Sequence, residues 1–127
     1  MSDEFPAELT SFIAQHIESL AQLEALLMMK QDPSRRWDGG EFARALYISD
    51  DMCRGLVADL QRRGFIARDN DGGSFHYSIG DVDRDRLLTQ LGELYIERRV
   101  AVITQIYSNP MKKVQTFADA FRLRNKD

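Results

Sequence analysis

Glu41 to Ile79 reads EFARALYISDDMCRGLVADLQRRGFIARDNDGGSFHYSI. Asp38, three residues before Glu41, forms a capping-box pattern. It predicts a first helix from about Gly39 to Tyr47 that buries Phe42, Ala45 and Leu46. Ile48 is the apolar residue of a tight turn. Ser49 then caps a second helix, with Asp50 and Asp51 in its first turn, where negative charge is favoured. Cys53, Leu56, Val57 and Leu60 recur at helical spacing and mark its buried face. The helix runs from Asp50 to about Arg63, and Gly64 is placed to end it in a left-handed conformation. Phe65-Ile66-Ala67-Arg68 and Ser74-Phe75-His76-Tyr77-Ser78-Ile79 read as two strands around a Gly-tipped turn at Asp71–Gly73.

The flanks are helical. Leu9, Phe12, Ile13, Ile17 and Leu20 have helical spacing after Pro6, which suits a first turn. Ser19 and Gln22 form another capping box, so residues 5–31 are two helices meeting near Glu18–Ser19, or one helix bent there. Asp32-Pro33-Ser34 is a turn, and Arg35-Arg36-Trp37 reads as a minor strand. After the hairpin, Asp81 opens a helix expected to run to about Tyr107. Its stripe is Leu87, Leu88, Leu91, Leu94, Tyr95, Val102, Ile103 and Ile106. Asn109-Pro110 stops it. A last short helix follows, with Val114, Phe117, Ala118 and Phe121 at helical spacing. The expected fold is mainly α with a small β-hairpin: a winged helix-turn-helix with N- and C-terminal helical extensions. We expect one domain over residues 1–127, with an N-terminal helix in 1–18, a winged-helix core in 19–80 and C-terminal helices in 81–127.

Composition narrows the function. The chain has 127 residues, 43% hydrophobic and 29% charged, ordinary values for a globular protein. A single cysteine, Cys53, excludes an internal disulfide and fits a reducing cytoplasm. The start, MSDEFPAEL, lacks the basic and apolar regions of a signal peptide. No apolar run is long enough to cross a membrane. The net charge is −3, unlike the basic balance of a typical DNA-binding domain. Residues 109–127 alone are positive: Lys112, Lys113, Arg122, Arg124 and Lys126 against Asp119 and Asp127 give +3.

The run LYISDDMCRGLVADLQRRGFIAR with a Gly-tipped hairpin after it resembles the MarR-like winged-helix regulators of bacteria. The residues carrying the likeness are Ile48 in the turn, Leu56, Leu60, Arg63-Gly64 at the helix end, and Phe65 at the strand start. The likeness spans Ser19 to Ile79. It implies that the helix from Asp50 enters the DNA major groove, that the wing touches the minor groove or backbone, and that the terminal helices make a dimer. On that reading Arg54, Ala58 and Arg62 read bases, and Arg63, Arg68 and Arg36 contact phosphates of double-stranded DNA. Leu91, Tyr95, Val102, Ile103, Ile106, Phe12 and Ile13 form the expected homodimer interface. The family usually places Ser, Thr, Gln, Lys or Arg on the reading face. Here that face holds Asp51 and Asp59, and the wing holds Asp69 and Asp71, acids that repel phosphates.

Other chemistry finds no support. His16 and His76 have no partner at metal-ligand spacing. Cys53 lies on an apolar face and reads as core. No nucleophile–base pair, phosphate loop or dinucleotide fingerprint is present, so neither an enzyme nor a cofactor is expected. Three readings remain: a dimeric regulator binding double-stranded DNA; a winged helix used for protein contacts, whose acidic face docks on a basic partner; and a small-molecule sensor without DNA binding.

Overall fold

The computed structural model describes residues 5–70 and 72–108. The elements run α1 (Ala7–His16), α2 (Leu20–Gln31), β1 (Trp37–Asp38), α3 (Gly39–Leu46), α4 (Asp50–Arg62), β2 (Ile66–Arg68), β3 (Ser74–Tyr77), α5 (Val82–Glu97) and α6 (Arg99–Tyr107). The strands form one antiparallel sheet in the order β1-β3-β2. This is a winged helix-turn-helix, with α3 and α4 as the helix pair and β2–β3 as the wing. The expected helix around Val114–Phe121 and the wing residue Asp71 lie outside the described residues.

The predicted caps form. Ser19 accepts from the Gln22 amide at 3.1 Å, Asp38 from Glu41 at 2.8 Å, and Ser49 from Met52 at 3.1 Å. Residues 7–31 are therefore two helices. The Gln22 side chain returns the bond one residue earlier than a standard capping box, accepting from the Glu18 amide at 2.6 Å. Both helices of the central pair end alike. Phe65 N–H donates to Leu60 and Gly64 N–H to Gln61; Ile48 N–H donates to Ala43 and Tyr47 N–H to Arg44. This pair of hydrogen bonds needs a left-handed residue. Gly64 meets it at φ 81°, but Tyr47 meets it at φ 58° without a glycine's freedom.

One continuous core joins the elements. Phe42 packs edge-on against Trp37 and Phe75, at centroid distances of 5.4 and 5.1 Å, which fixes α3 to β1 and β3. Phe65 receives Phe12 and His16 of α1 edge-on at 6.2 and 5.7 Å. Arg84 lies over the Phe65 ring at 4.3 Å and donates to the Arg63 carbonyl at 2.7 Å. Lys30 and Tyr77 both donate to Asp85, at 2.7 and 2.6 Å, which ties α2 and β3 to α5.

The expected continuous helix from Asp81 to Tyr107 is broken. Arg98 leaves helical geometry at φ −135°, ψ 61°, and α6 packs back on α1 and α5. A straight helix would carry Val102 and Ile106 away from the chain; the break buries both completely. The residues expected at a homodimer interface are placed differently from that expectation. Leu91, Val102, Ile106, Phe12 and Ile13 lie in the chain's own core, so they have no apolar surface left for a second copy. Tyr95 and Ile103 are partly buried. The strongly exposed apolar residues of this region are instead Ile96, Val100 and Tyr107.

Two stability measurements follow from these contacts. Tyr47 is 95% exposed, so replacing it with glycine removes strain and little packing. Tyr47→Gly should stabilise the fold by up to about 1 kcal/mol in denaturant unfolding. His16 is held below its ordinary value of 6.5 by burial, and then by the positive charges of Arg84 and Arg63. A lowered histidine pKa means the unfolded chain binds the proton more tightly. The His16 contribution is therefore complete above about pH 6.5 and declines as pH falls below it. Thermal midpoints measured between pH 7.5 and 5.5 should fall, and His16→Phe should flatten that slope.

Candidate nucleic-acid interface

The outward face of α4 is formed by Asp51, Arg54, Gly55, Ala58 and Arg62, all exposed. It faces outward because Cys53, Val57 and Leu60 are buried on the opposite side. The wing stands beside it. Arg54 of α4 and Arg68 of β2 share the wall of a notch of about 320 Å³, with Gly39, Gly40, Asp50 and Phe75. The fold thus brings the proposed base-reading helix and one proposed phosphate contact to a single concavity, at the N-terminus of α3.

Each nominated cation has an internal partner. Arg54 pairs with Asp51 one turn back, and Arg62 pairs with Asp59. Arg68 donates to the Gln61 side chain at 3.2 Å. Arg36 pairs with Asp69 at the base of the wing. Arg35 stacks on Trp37 at 3.6 Å and pairs with Glu41 at 3.2 Å. Arg54, Arg62 and Arg36 keep most of their side chains in solvent. Exposed pairs of this kind contribute about 0–1 kcal/mol, so a phosphate can compete for the guanidinium.

Arg63 is different. Its side chain is 18% exposed. It donates to Asp59 at 3.0 Å, to Glu18 at 2.6 Å and to the Gln15 carbonyl at 3.2 Å. It is a strut between α4 and the α1–α2 junction, turned away from the exposed face. Asp59 also departs from expectation. Helical spacing places it on the solvated face, but its side chain is only 19% exposed. It accepts from Arg63, Arg62 and the buried Gln22 amide, the last at 3.0 Å. Sequence spacing alone could not reveal this, since the partner lies 37 residues away on α2.

The wing acid is likewise neutralised. Burial pushes the Asp69 carboxyl up, but hydrogen bonds from Arg36 and Ser74 and the charges of Arg36 and His76 outweigh it and hold the group below the usual carboxylate range. His76 Nδ1 lies 2.8 Å from Asp69 Oδ1. Cys53 is buried, and burial followed by the Asp50 charge pushes its thiol up, the reverse of what a reactive thiolate needs. Among the described residues no cluster of His, Cys, Asp and Glu could hold a metal.

Comparison with known proteins supports the fold. No family model matches the sequence, and no curated protein matches it. Solved structures do match. MepR, a transcription regulator of the Staphylococcus aureus multidrug efflux pump MepA, is 16% identical with a TM-score of 0.53, over 91% of this chain and 87% of that one. A MepR mutant bound to an oligodeoxyribonucleotide is 14% identical with a TM-score of 0.50, over 91% and 87%. A possible transcriptional regulator from Methanosarcina mazei Go1 is 17% identical with a TM-score of 0.50, over 83% and 92%. The chain therefore has the winged-helix fold of MarR-like regulators, as the sequence resemblance implied.

The two acids of α4 should behave differently on substitution. Asp51 is 88% exposed, so Asp51→Asn should change stability by no more than about 0.5 kcal/mol. Asp59→Asn leaves the half-buried Arg63 and buried Gln22 poorly matched, and should destabilise by about 1–3 kcal/mol. Urea unfolding of the two variants measures the contrast.

Proposed function

We propose that the chain is a transcriptional regulator that binds double-stranded DNA as a homodimer in the cytoplasm. The observation that carries the reading is the shared notch of Arg54 and Arg68, which sets the outward face of α4 and the wing on one surface. It is supported by the likeness in fold to a regulator solved with an oligodeoxyribonucleotide. Arg54, Ala58 and Arg62 would face base edges. Arg68 and Arg36 would meet phosphates once released from Gln61 and Asp69. Arg63 would act on DNA only through α4, by holding the helix against α1. The homodimer would use the exposed Val100 and Tyr107 and the partly buried Ile103 of α6 in place of the residues buried in the core. None of the described helices is long and apolar enough to cross a membrane.

A second reading draws on a specific feature. The exposed Tyr47 and Met52 stand beside Asp50 and Asp51 at the start of α4. An aromatic and a thioether among acids suit a basic protein segment better than a phosphate backbone. In that case the helix face is a protein-docking surface.

Gel-shift titration at low salt, on genomic fragments flanking the gene, separates the two. A regulator gives a shift that weakens steeply with salt, by a slope of about 0.9 per phosphate neutralised. Asp51→Asn should strengthen it by removing repulsion. Arg54→Ala should relax sequence preference, costing about 1–3 kcal/mol if the contact to guanine is bidentate. Arg68→Ala should weaken all sequences alike. No shift with either wild type or Asp51→Asn would overturn the regulator reading.

A further inference from the structure

An open apolar groove of about 680 Å³ runs between α2, α3 and α5. Leu27 and Met28 of α2, Leu46 of α3, and Leu88 and Ile96 of α5 line it. Ile96 is 84% exposed. Gly92 keeps the groove floor low, since a Cβ there would stand 3.0 Å from the Leu27 side chain. The groove is one continuation of a contact line along α2. At its start the Leu20 amide donates to the Tyr107 hydroxyl at 2.9 Å. One turn on, Glu24 accepts from Tyr95 at 3.0 Å and pairs with Arg99 at 3.8 Å. One further turn on lie Leu27 and Met28. The contacts of α5 and α6 thus cross the first two turns of this face, and the groove opens beside Glu24, Tyr95 and Arg99 and continues along the next turn.

The end of α6 delivers the chain to the head of that line. From Leu20 to Leu27 the distance along α2 is about 10 Å. Residues 109–113 can span up to about 17 Å, so Val114 can reach the groove. From there the sequence offers Val114, Phe117, Ala118 and Phe121 at the spacing of one helix face. Lys112 and Lys113 precede them, suited to the exposed Glu93 on the groove rim.

We propose that residues 114–121 of the same chain occupy this groove, with the two phenylalanines against Leu27, Met28 and Ile96. The docked segment would cover the apolar wall and brace α3, which contributes Ala45 and Leu46 to the groove, against α5. The proposal stands apart from DNA binding and holds whichever partner α4 meets.

Cysteine pairing in the full chain tests it. Met28→Cys is combined with Phe117→Cys, or with Phe121→Cys, and oxidised under mild conditions. The disulfide positions are mapped by mass spectrometry, and Gln90→Cys replaces Met28→Cys as the control. A docked segment gives an intrachain bond in at least one pair, formed roughly tenfold or more faster than in the control, as a tethered contact requires. A bond that joins two copies assigns the groove to a second molecule and overturns the proposal. So does a rate equal to the control. Hydrogen exchange on the full chain gives a reading independent of cysteine chemistry. Phe117→Asp with Phe121→Asp should raise exchange across residues 88–96 several-fold and leave residues 50–62 unchanged. Unchanged exchange at 88–96 also overturns it.

Discussion

The carboxylate of Asp59 is the point on which the placement of the outward helix depends. It lies on α4, yet it accepts from Gln22 at the start of α2 and from Arg63, which reaches on to Glu18 and Gln15. Three helices therefore meet at one charge. Hydrogen bonds to a charged group contribute about 1.5–3 kcal/mol each in favourable cases. The carboxylate and Arg63 are both largely removed from water. The buried Gln22 spends its two ends on this junction, accepting from Glu18 and donating to Asp59. The orientation of α4 is set by polar geometry as well as by Cys53, Val57 and Leu60 beneath it.

That arrangement sorts the cations. Arg54 and Arg62 keep their own guanidinium groups in solvent, where pairing is worth little and is screened by salt. Their charge can be transferred to a phosphate at small cost. Arg63 cannot leave Asp59 without stranding a partly buried carboxylate, which costs more than a surface contact returns. The same helix thus carries two kinds of arginine, distinguished by burial and not by sequence. Local pairing also mutes the acidity of the surface. Asp69 is answered by Arg36 and His76, and Asp51 by Arg54. The net charge of −3 therefore overstates the repulsion felt directly at the face.

What could be read in the sequence was local. Caps at Ser19, Asp38 and Ser49, the stop at Gly64 and the alternation of β3 each follow from residues within a few positions. They fix the helix pair and the wing. The terminal helices were less legible because their apolar stripes do not say what covers them. Leu91, Val102 and Ile106 could face a second chain or their own α1. Only the break at Arg98 decides, and no proline or glycine marks it. Asp59 was unreadable for a related reason. Its spacing matches a solvated face, and the residue that buries it comes from α2. The pairs Asp51–Arg54 and Asp59–Arg62, by contrast, follow directly from i,i+3 spacing.

Tyr47 is strained for a reason that packing does not supply. The turn between α3 and α4 demands a left-handed residue, and glycine supplies one at almost no cost. A tyrosine there is strained by about 1–2 kcal/mol, and its ring gains nothing from the core. Strain of this kind persists where the surrounding structure over-determines it, and it concentrates at sites of function. The two bonds from Tyr47 and Ile48 to Arg44 and Ala43 supply the constraint. The residue sits in the turn between α3 and α4, three positions before Asp50, with its ring in solvent. A rigid aromatic with few rotatable bonds loses little entropy on contact, which suits a position that is costly to keep and idle in the free chain.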